Sequence, residues 1–199
     1  MKTISHVYDS YGQARAAVEE LEAAGIPSKD ISVVANKYVS AEHAQVDDVS
    51  PASAGASIGA VAGGGAGALA GIGLLAIPGL GPVVAAGWAA TAAVGAVTGA
   101  MAGAAVGGLA GVLRDSGEPE QRANIYSEAV RRGGTLVTAR VADDHEERAR
   151  AIFTKHEPVD PDARRREYHA AGRAEFDPNA PPYQPTEAEI DRIRHKGLL

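Results

Sequence analysis

The chain lacks several features that would point to an enzyme or a secreted domain. Among its 199 residues there is no cysteine, which excludes a disulfide framework, a thiol nucleophile and a cysteine metal site. Aromatic residues make up only 5% of the chain, and the net charge of −6 gives no general attraction to nucleic acid. The segment from Met1 to His6 has no apolar run of the kind found in secretory signals, so we expect no cleavable leader.

The most informative absence is that of charge from the middle of the chain. No Asp, Glu, Lys, Arg or His occurs from Val49 to Leu113, whereas both ends are rich in charged residues. Small residues recur in this apolar segment at every fourth position, a spacing that lets helices approach closely inside membranes. We therefore predict two apolar helices, at about 53–76 and 83–113, that fold back on each other at the turn Ile77 to Pro82.

The predicted contact between these helices is a row of small residues, which we call the glycine zipper. Its members are Gly55, Gly59, Gly63, Gly67 and Gly71 in the first helix, and Gly87, Thr91, Gly95, Gly99, Gly103, Gly107 and Gly111 in the second. The predicted turn residues are Pro78, Gly79, Gly81 and Pro82. A row with this spacing favours a right-handed helix crossing over a heptad seam.

Length permits the predicted helices to cross a bilayer, since about 20 apolar residues span a core of about 30 Å. Glycine in a water-exposed helix costs roughly 1 kcal/mol relative to alanine, so neither helix should persist alone in water. Two alternatives stay open. One is a flexible linker, which the interspersed large apolar residues disfavour. The other is a water-soluble assembly of mutually buried hairpins, which the dominance of weakly inserting Ala and Gly favours.

The N-terminal flank has the pattern of strand, helix and strand. Thr3 to Tyr8 is a β-rich run, and Ser10 stands three residues before Gln13, which is capping-box spacing. Apolar residues at helical spacing follow, and Gly25 suits the end of that helix. Ile31 to Val34 is the second β-rich run. This flank predicts a βαβ unit.

The C-terminal flank repeats the pattern. A helix is predicted from Glu118 to Arg132, a strand from Thr135 to Val141, and a helix capped by Asp143. Val159 opens a closing strand that is weakened by prolines on either side. Two such units predict an α+β, ferredoxin-like sheet of split βαβ type with two helices on one face. The apolar hairpin interrupts this domain, so both of its ends must emerge on the same side.

These boundaries divide the chain into five predicted parts. They are the first half of the sheet domain (1–40), a linker (41–52), the glycine-zipper hairpin (53–113), the second half of the sheet domain (117–168) and a proline-rich tail (169–199). In the tail, Thr186 with Glu189 has capping-box spacing and predicts a short helix.

The sequence contains no recognisable catalytic or metal-binding constellation. None of the six histidines has a second histidine or a carboxylate at metal-ligand spacing, and no phosphate-binding glycine motif follows a predicted strand. We therefore predict no cofactor, no metal site and no small-molecule substrate. Two basic clusters, Arg131–Arg132 and Arg164–Arg166, fit either a solvated face or a contact with anionic lipid.

The N-terminal run from Val7 through Leu21 to Val34 resembles the heat-induced general stress protein family (YflT-like, general stress protein 17M-like domain). A glycine-rich segment with an Ile-Pro-Gly-x-Gly-Pro turn, a Gly-Gly-x-Leu-Val-Thr strand and a closing Val-Asp-x-Asp-x-Arg add to the likeness, here at Ile77–Pro82, Gly133–Thr138 and Val159–Arg164. The resemblance covers most of residues 1–168. It implies a bacterial stress protein facing the cytoplasm and supplies no catalytic residues.

Together these features predict a non-enzymatic general stress protein. In the main interpretation its hairpin lies in or on the bacterial inner membrane, in contact with lipid, while the sheet domain and both termini are cytoplasmic. In the alternative it is a cytoplasmic, self-assembling scaffold. Both interpretations include a homo-oligomer, and neither includes a nucleic-acid partner.

Overall fold

One antiparallel sheet with helices on both faces organises the protein. The computed structural model describes residues 1–36, 73–77, 81–89, 108–172, 176–177 and 186–196. The strands are β1 (Lys2–Tyr8), β2 (Ile31–Asn36), β3 (Gly73–Ile77), β4 (Gly81–Ala86) and β5 (Thr135–Val141). The helices are α1 (Tyr11–Ala23), α2 (Gly108–Asp115), α3 (Glu120–Arg131), α4 (Glu146–Lys155), α5 (Pro161–Ala170) and α6 (Glu187–Lys196).

The predicted N-terminal unit is confirmed. The Ser10 hydroxyl accepts a hydrogen bond from the Gln13 amide at 3.1 Å, so it caps α1 as its spacing predicts. Gly25 follows the helix with a φ of 92°, a left-handed conformation that glycine adopts without strain. The chain then reaches β2, whose six residues are all buried.

In the centre of the sheet, a strand from the C-terminal flank pairs with two strands from the N-terminal flank. β5 lies between β1 and β2 and is antiparallel to both. In this register Ser5 of β1 and Ser32 of β2 both stand opposite Thr138 of β5. β1, α1 and β2 therefore form a split βαβ unit with β5 inserted between its strands.

Apolar residues pack on both faces of the sheet, since alternate residues of a strand point to opposite sides. On one face, Ile4, Tyr8 and Val137 pack with α1 and α4, as predicted for two helices on one side. On the other face, Val7, Val34 and Leu136 pack with α2 and α3. The fold therefore has helix, sheet and helix layers, whereas one helical layer was predicted.

At Val159, where a closing strand was predicted, the chain makes a backbone hydrogen bond to the edge strand β1. The Val159 amide donates to the Val7 carbonyl at 2.7 Å, and α5 begins two residues later. The carboxylate of Asp160 caps α5 by accepting from the amides of Asp162 and Ala163, and Pro161 occupies its first turn. The prediction of a strand was wrong here because Asp-Pro is itself a helix-start signal. Within the described residues no fourth strand of a ferredoxin-like sheet follows β5, so the predicted ferredoxin-like topology is not confirmed.

The predicted helical hairpin is wrong at its two inner ends. Residues 73–77 and 81–86 form β3 and β4, which pair with each other from Gly73–Ala85 to Ile77–Gly81. The chain does reverse between Ile77 and Gly81, but the reversal joins strands rather than helices. β4 also pairs with β2, giving the strand order β1-β5-β2-β4-β3.

This pairing does not fit a hairpin that crosses a membrane with its turn at Ile77 to Pro82. A hairpin crossing a membrane with its turn at Ile77 to Pro82 would carry β3 and β4 away from the sheet domain. Instead, Val33 to Asn36 of β2 stand opposite Val83 to Ala86 of β4. Within the described ranges, no helix has both the length and the apolarity to cross a bilayer.

Candidate functional site

The structure places only a few of the predicted glycine-zipper and turn residues. Gly87 and Gly111 are described, as are Gly81 and Pro82 of the predicted turn, which are the first two residues of β4. The other predicted positions lie outside the described residues: Gly55, Gly59, Gly63, Gly67, Gly71, Pro78, Gly79, Thr91, Gly95, Gly99, Gly103 and Gly107. The zipper as a whole therefore stays a prediction.

Gly87 has a structural role that differs from helix packing. It has a φ of 90°, and a Cβ built on it would lie 2.8 Å from the Cα of Ser32. Glycine is needed here because the chain leaving β4 passes directly against β2 in a left-handed conformation. Gly111, in contrast, lies in α2, where it is buried.

The end of the apolar segment belongs to the core of the domain. Leu109, Val112 and Leu113 of α2 are buried in the cluster that covers one sheet face. The indole of Trp88 packs against the same cluster, and the Arg140 guanidinium carbon lies 3.7 Å from its ring centroid. Trp88 therefore takes part in the apolar packing of the domain.

The two basic clusters of the sequence meet on one tyrosine. The guanidinium carbons of Arg132, which directly follows α3, and Arg164 in α5 lie 5.8 Å and 5.9 Å from the ring centroid of Tyr168. With Asp9 and Glu128 these residues form what we call the arginine–tyrosine cluster. It connects α3, α5 and the end of β1.

Each arginine of this cluster is neutralised by a carboxylate. Arg164 donates from Nη2 to both carboxylate oxygens of Asp9 at 2.7 Å, and Arg132 donates from Nε to Glu128 at 2.5 Å. Glu128 is only 3% exposed and also pairs with Arg131 at 3.4 Å. Glu128 thus pairs with both arginines of the first basic cluster, and Asp9 pairs with Arg164 of the second.

The pKa values in and near the cluster follow from burial. Burial raises the pKa of Tyr168, although the neighbouring Arg164 opposes that shift. Burial also acts to lower the pKa of Arg164, but the hydrogen bond and charge of Asp9 outweigh it and raise the pKa. Burial raises the pKa of Tyr126 in α3 to about 12. These groups therefore keep one protonation state near neutral pH and do not act as acids or bases there.

The histidines of the described chain are dispersed. His6 on β1 stacks against Phe153 with ring centroids 5.1 Å apart, and burial lowers the pKa of His6 to about 4. His156 contacts Glu20 across α4 and α1 at 2.8 Å. In the parts of the chain that the structure covers, no group of three metal-ligating side chains comes together.

Sequence reasoning missed the carboxylate half of the arginine–tyrosine cluster. Asp9 and Arg164 are 155 positions apart, and no local spacing connects them. Asp9 directly follows β1 and so lies at the end of a strand. A polar residue at a strand end was the only available signal.

The fold and the cluster define a mixed α/β protein with an antiparallel sheet and a contact of paired charges between the ends of α3 and β1 and the helix α5. The family model of the heat-induced stress protein YflT domain matches residues 3–75 of this chain. The matched range contains the split βαβ unit from β1 to β2 and ends within β3. The resemblance inferred from the N-terminal motifs is confirmed for these residues.

The matched range ends at residue 75, before β4. The elements from β4 onward are therefore described from the structure alone. No curated protein and no solved structure matches the chain.

Proposed function

We propose that this chain is a non-enzymatic bacterial general stress protein that works by association through its apolar segment, Val49 to Leu113. The match to the heat-induced stress protein YflT domain supports the stress class. The neutralised arginine–tyrosine cluster supports a role in holding structure rather than in chemistry. In this proposal, the sheet domain is the frame and the apolar segment is the part that makes contacts.

The observation that carries the proposal is the attachment of the apolar segment to the domain. β3 and β4 extend the sheet beside β2. α2 is buried against the sheet face formed by Val7, Val34 and Leu136. The remaining uncharged residues, 49–72 and 90–107, lie outside the described residues. Small side chains favour close backbone contact, so we expect these stretches to pack against those of a second copy.

The first test measures self-association of the full chain by analytical ultracentrifugation. We expect an oligomer that Gly63→Leu and Gly99→Leu weaken, because a large side chain would separate the packed backbones. The matched controls are Ala66→Leu and Ala100→Leu, which add a similar bulk away from the row of small residues. A monomeric wild type, or equal effects in variants and controls, would contradict assembly through the glycine zipper.

A second candidate function is association with the inner membrane, with the sheet domain and termini in the cytoplasm. The absence of charge over the whole of Val49 to Leu113 favours it. Vesicle flotation separates this candidate from the first. A chain that floats with lipid supports membrane association, and a chain that sediments as a defined oligomer supports assembly.

The stress class has its own test, which does not depend on the partner. We expect the amount of this protein in its cells to rise after a shift to high temperature. Quantitative immunoblotting across the shift would measure it. A constant level would contradict assignment to the heat-induced class while leaving the assembly test unaffected.

A further inference from the structure

A row of hydroxyl groups crosses the centre of the sheet beneath α2 and α3. It consists of Ser5, Thr138 and Ser32, which face one another across β1, β5 and β2. Each of them is two positions away, on its own strand, from Val7, Leu136 or Val34, and therefore lies on the same face of the sheet as that residue. Val7, Leu136 and Val34 pack against α2 and α3. All three residues of this hydroxyl row are at most 2% exposed.

Two of these hydroxyls have no hydrogen-bond partner within the described chain. They are the Oγ of Ser5 and the Oγ1 of Thr138, and both atoms are buried. Leaving a buried polar group unpaired costs about 1–3 kcal/mol, so a sheet centre optimised for packing alone would favour valine or alanine here. The arrangement is explained if a bound group accepts hydrogen bonds from the row.

The indole of Trp88 lies beside this row. Its neighbour Gly87 contacts the backbone of Ser32, and its ring lies against Arg140, two residues beyond Thr138 on the same strand. The Nε1 of Trp88 is also buried, and it too has no partner among the residues that the structure places. An indole N–H can only donate, so it calls for an acceptor.

We propose that the hydroxyls of Ser5 and Thr138, the Trp88 indole N–H and the Arg140 guanidinium form a binding site for a small oxyanion. The indole and the guanidinium are obligate donors, and serine and threonine hydroxyls can turn to donate. None of these four side chains is acidic. Arg140 is exposed, whereas Ser5 and Thr138 are buried. Carboxylate and phosphate oxygens both fit this donor set.

The chain supplies its own reporter for this site, because Trp88 is its only tryptophan. Full-length protein is titrated with inorganic phosphate and, separately, with acetate, at constant ionic strength, and the intrinsic fluorescence is followed. We expect a saturable change with at least one of the two probes. The probe that binds more tightly distinguishes a phosphate site from a carboxylate site. A change that is absent or strictly linear with both probes overturns the proposal.

Two isosteric variants on one strand locate the site. Thr138→Val removes a donor from the row, and losing one such hydrogen bond should weaken binding by about tenfold. Thr135→Val is the matched control. Thr135 is also buried and unpartnered in the described chain, but it is an odd number of residues from Thr138 and so faces the opposite side of the sheet. Equal affinity in Thr138→Val and wild type overturns the proposal.

The same variants give a second readout that does not need fluorescence. A ligand that binds only the folded state raises the melting temperature, so the saturating probe should stabilise wild type and Thr135→Val more than Thr138→Val. If Thr138→Val fails to fold, Ser5→Ala takes its place in both measurements. Equal stabilisation of all variants overturns the site, and neither result bears on self-association through the apolar segment.

Discussion

At the scale of single residues, the described part of this chain is governed by close backbone contacts and buried polar groups. Gly25 and Gly87 share a left-handed conformation, with φ of 92° and 90°. Only Gly87 is also pressed against another strand, since no atom lies within 4 Å of a Cβ built on Gly25. A substitution at Gly25 therefore measures the free-energy cost of the left-handed backbone alone. A substitution at Gly87 adds the cost of the steric clash with Ser32.

We predict that Gly87→Ala destabilises the protein more than Gly25→Ala does. The left-handed conformation costs an L-residue about 1–2 kcal/mol, and this cost applies to both variants. At position 87 the new Cβ would also meet the backbone of Ser32 at 2.8 Å, so β2 and β4 must move apart. Urea denaturation measures both losses, and equal losses would contradict the contact between these strands.

His6 makes stability depend on pH. Burial lowers its pKa from 6.5 to about 4, so the unfolded chain binds a proton at a higher pH than the folded chain does. Stability from this residue is therefore complete above pH 6.5 and is lost as the pH falls toward 4. From the size of this pKa shift, we expect a loss of about 2–3 kcal/mol over that window.

Denaturation curves of wild type and His6→Gln between pH 4 and pH 7.5 test this expectation. Glu20 and Glu146 also have lowered pKa values, through hydrogen bonds from Lys155 and Lys2, and both variants share their acid sensitivity. The informative quantity is the difference in slope between the two proteins above pH 5. Parallel curves would show that His6 is not buried as a neutral ring.

At the scale of elements, local signals in the sequence predicted most helices and strands. Ser10, Thr186 and the run from Thr135 to Val141 each carry a short-range signal, a cap or a β-branched pattern, and each prediction is confirmed. α5 was missed because the prolines at 158 and 161 were taken to weaken a strand, although Asp160 and Pro161 start a helix.

The apolar segment shows where local patterns fail. Residues 73–77 and 81–86 are short apolar runs, and periodicity alone cannot distinguish a buried strand from a buried helix in such runs. The edge of β2 decides between them, because β4 supplies the hydrogen bonds that this edge needs. A long-range pairing of this kind is not visible in the residues that make it.

We predict that α5 is held in place chiefly by Arg164. Its guanidinium makes two 2.7 Å bonds to Asp9 and is 16% exposed, whereas the adjacent Arg165 is 42% exposed and makes one 3.3 Å ion pair with Asp162. Arg164→Ala should lower stability by about 1–3 kcal/mol, and Arg165→Ala should stay within about 0.5 kcal/mol. Amide hydrogen exchange in α5 measures the difference, and equal protection in the two variants would contradict it.

At the scale of the whole molecule, one pairing decides how the apolar segment relates to the domain. With β4 beside β2, the middle of that segment is part of the sheet, and the region between Ile77 and Gly81 cannot be the far end of a transmembrane hairpin. A helical hairpin and a sheet extension use the same residues in mutually exclusive ways. The absence of cysteine from the chain makes this choice directly measurable.

We predict that cysteines at positions 34 and 85 form a disulfide in cells. Val34 and Ala85 stand opposite each other in the β2–β4 register. Antiparallel partners have Cα atoms about 4.5–5.5 Å apart, within the range of about 4.4–6.8 Å that a disulfide accepts. The double variant Val34→Cys, Ala85→Cys is treated with the membrane-permeant thiol oxidant diamide, which accepts the two electrons, in intact cells and in membrane-free extract. The bond is detected by mass spectrometry of the peptides.

The matched control is the double variant Val34→Cys, Val83→Cys. A residue two positions along the partner strand is diagonal and about 7–8 Å away, which exceeds the reach of a disulfide. Cross-linking of 34 with 85 but not with 83, in cells as in extract, means that β4 stays in the sheet wherever the protein resides. Any membrane contact must then come from residues 49–72 and 90–107 alone. Cross-linking in extract that disappears in cells would instead require the sheet to release β4 at the membrane, and the topology inferred from the strand order would be wrong there.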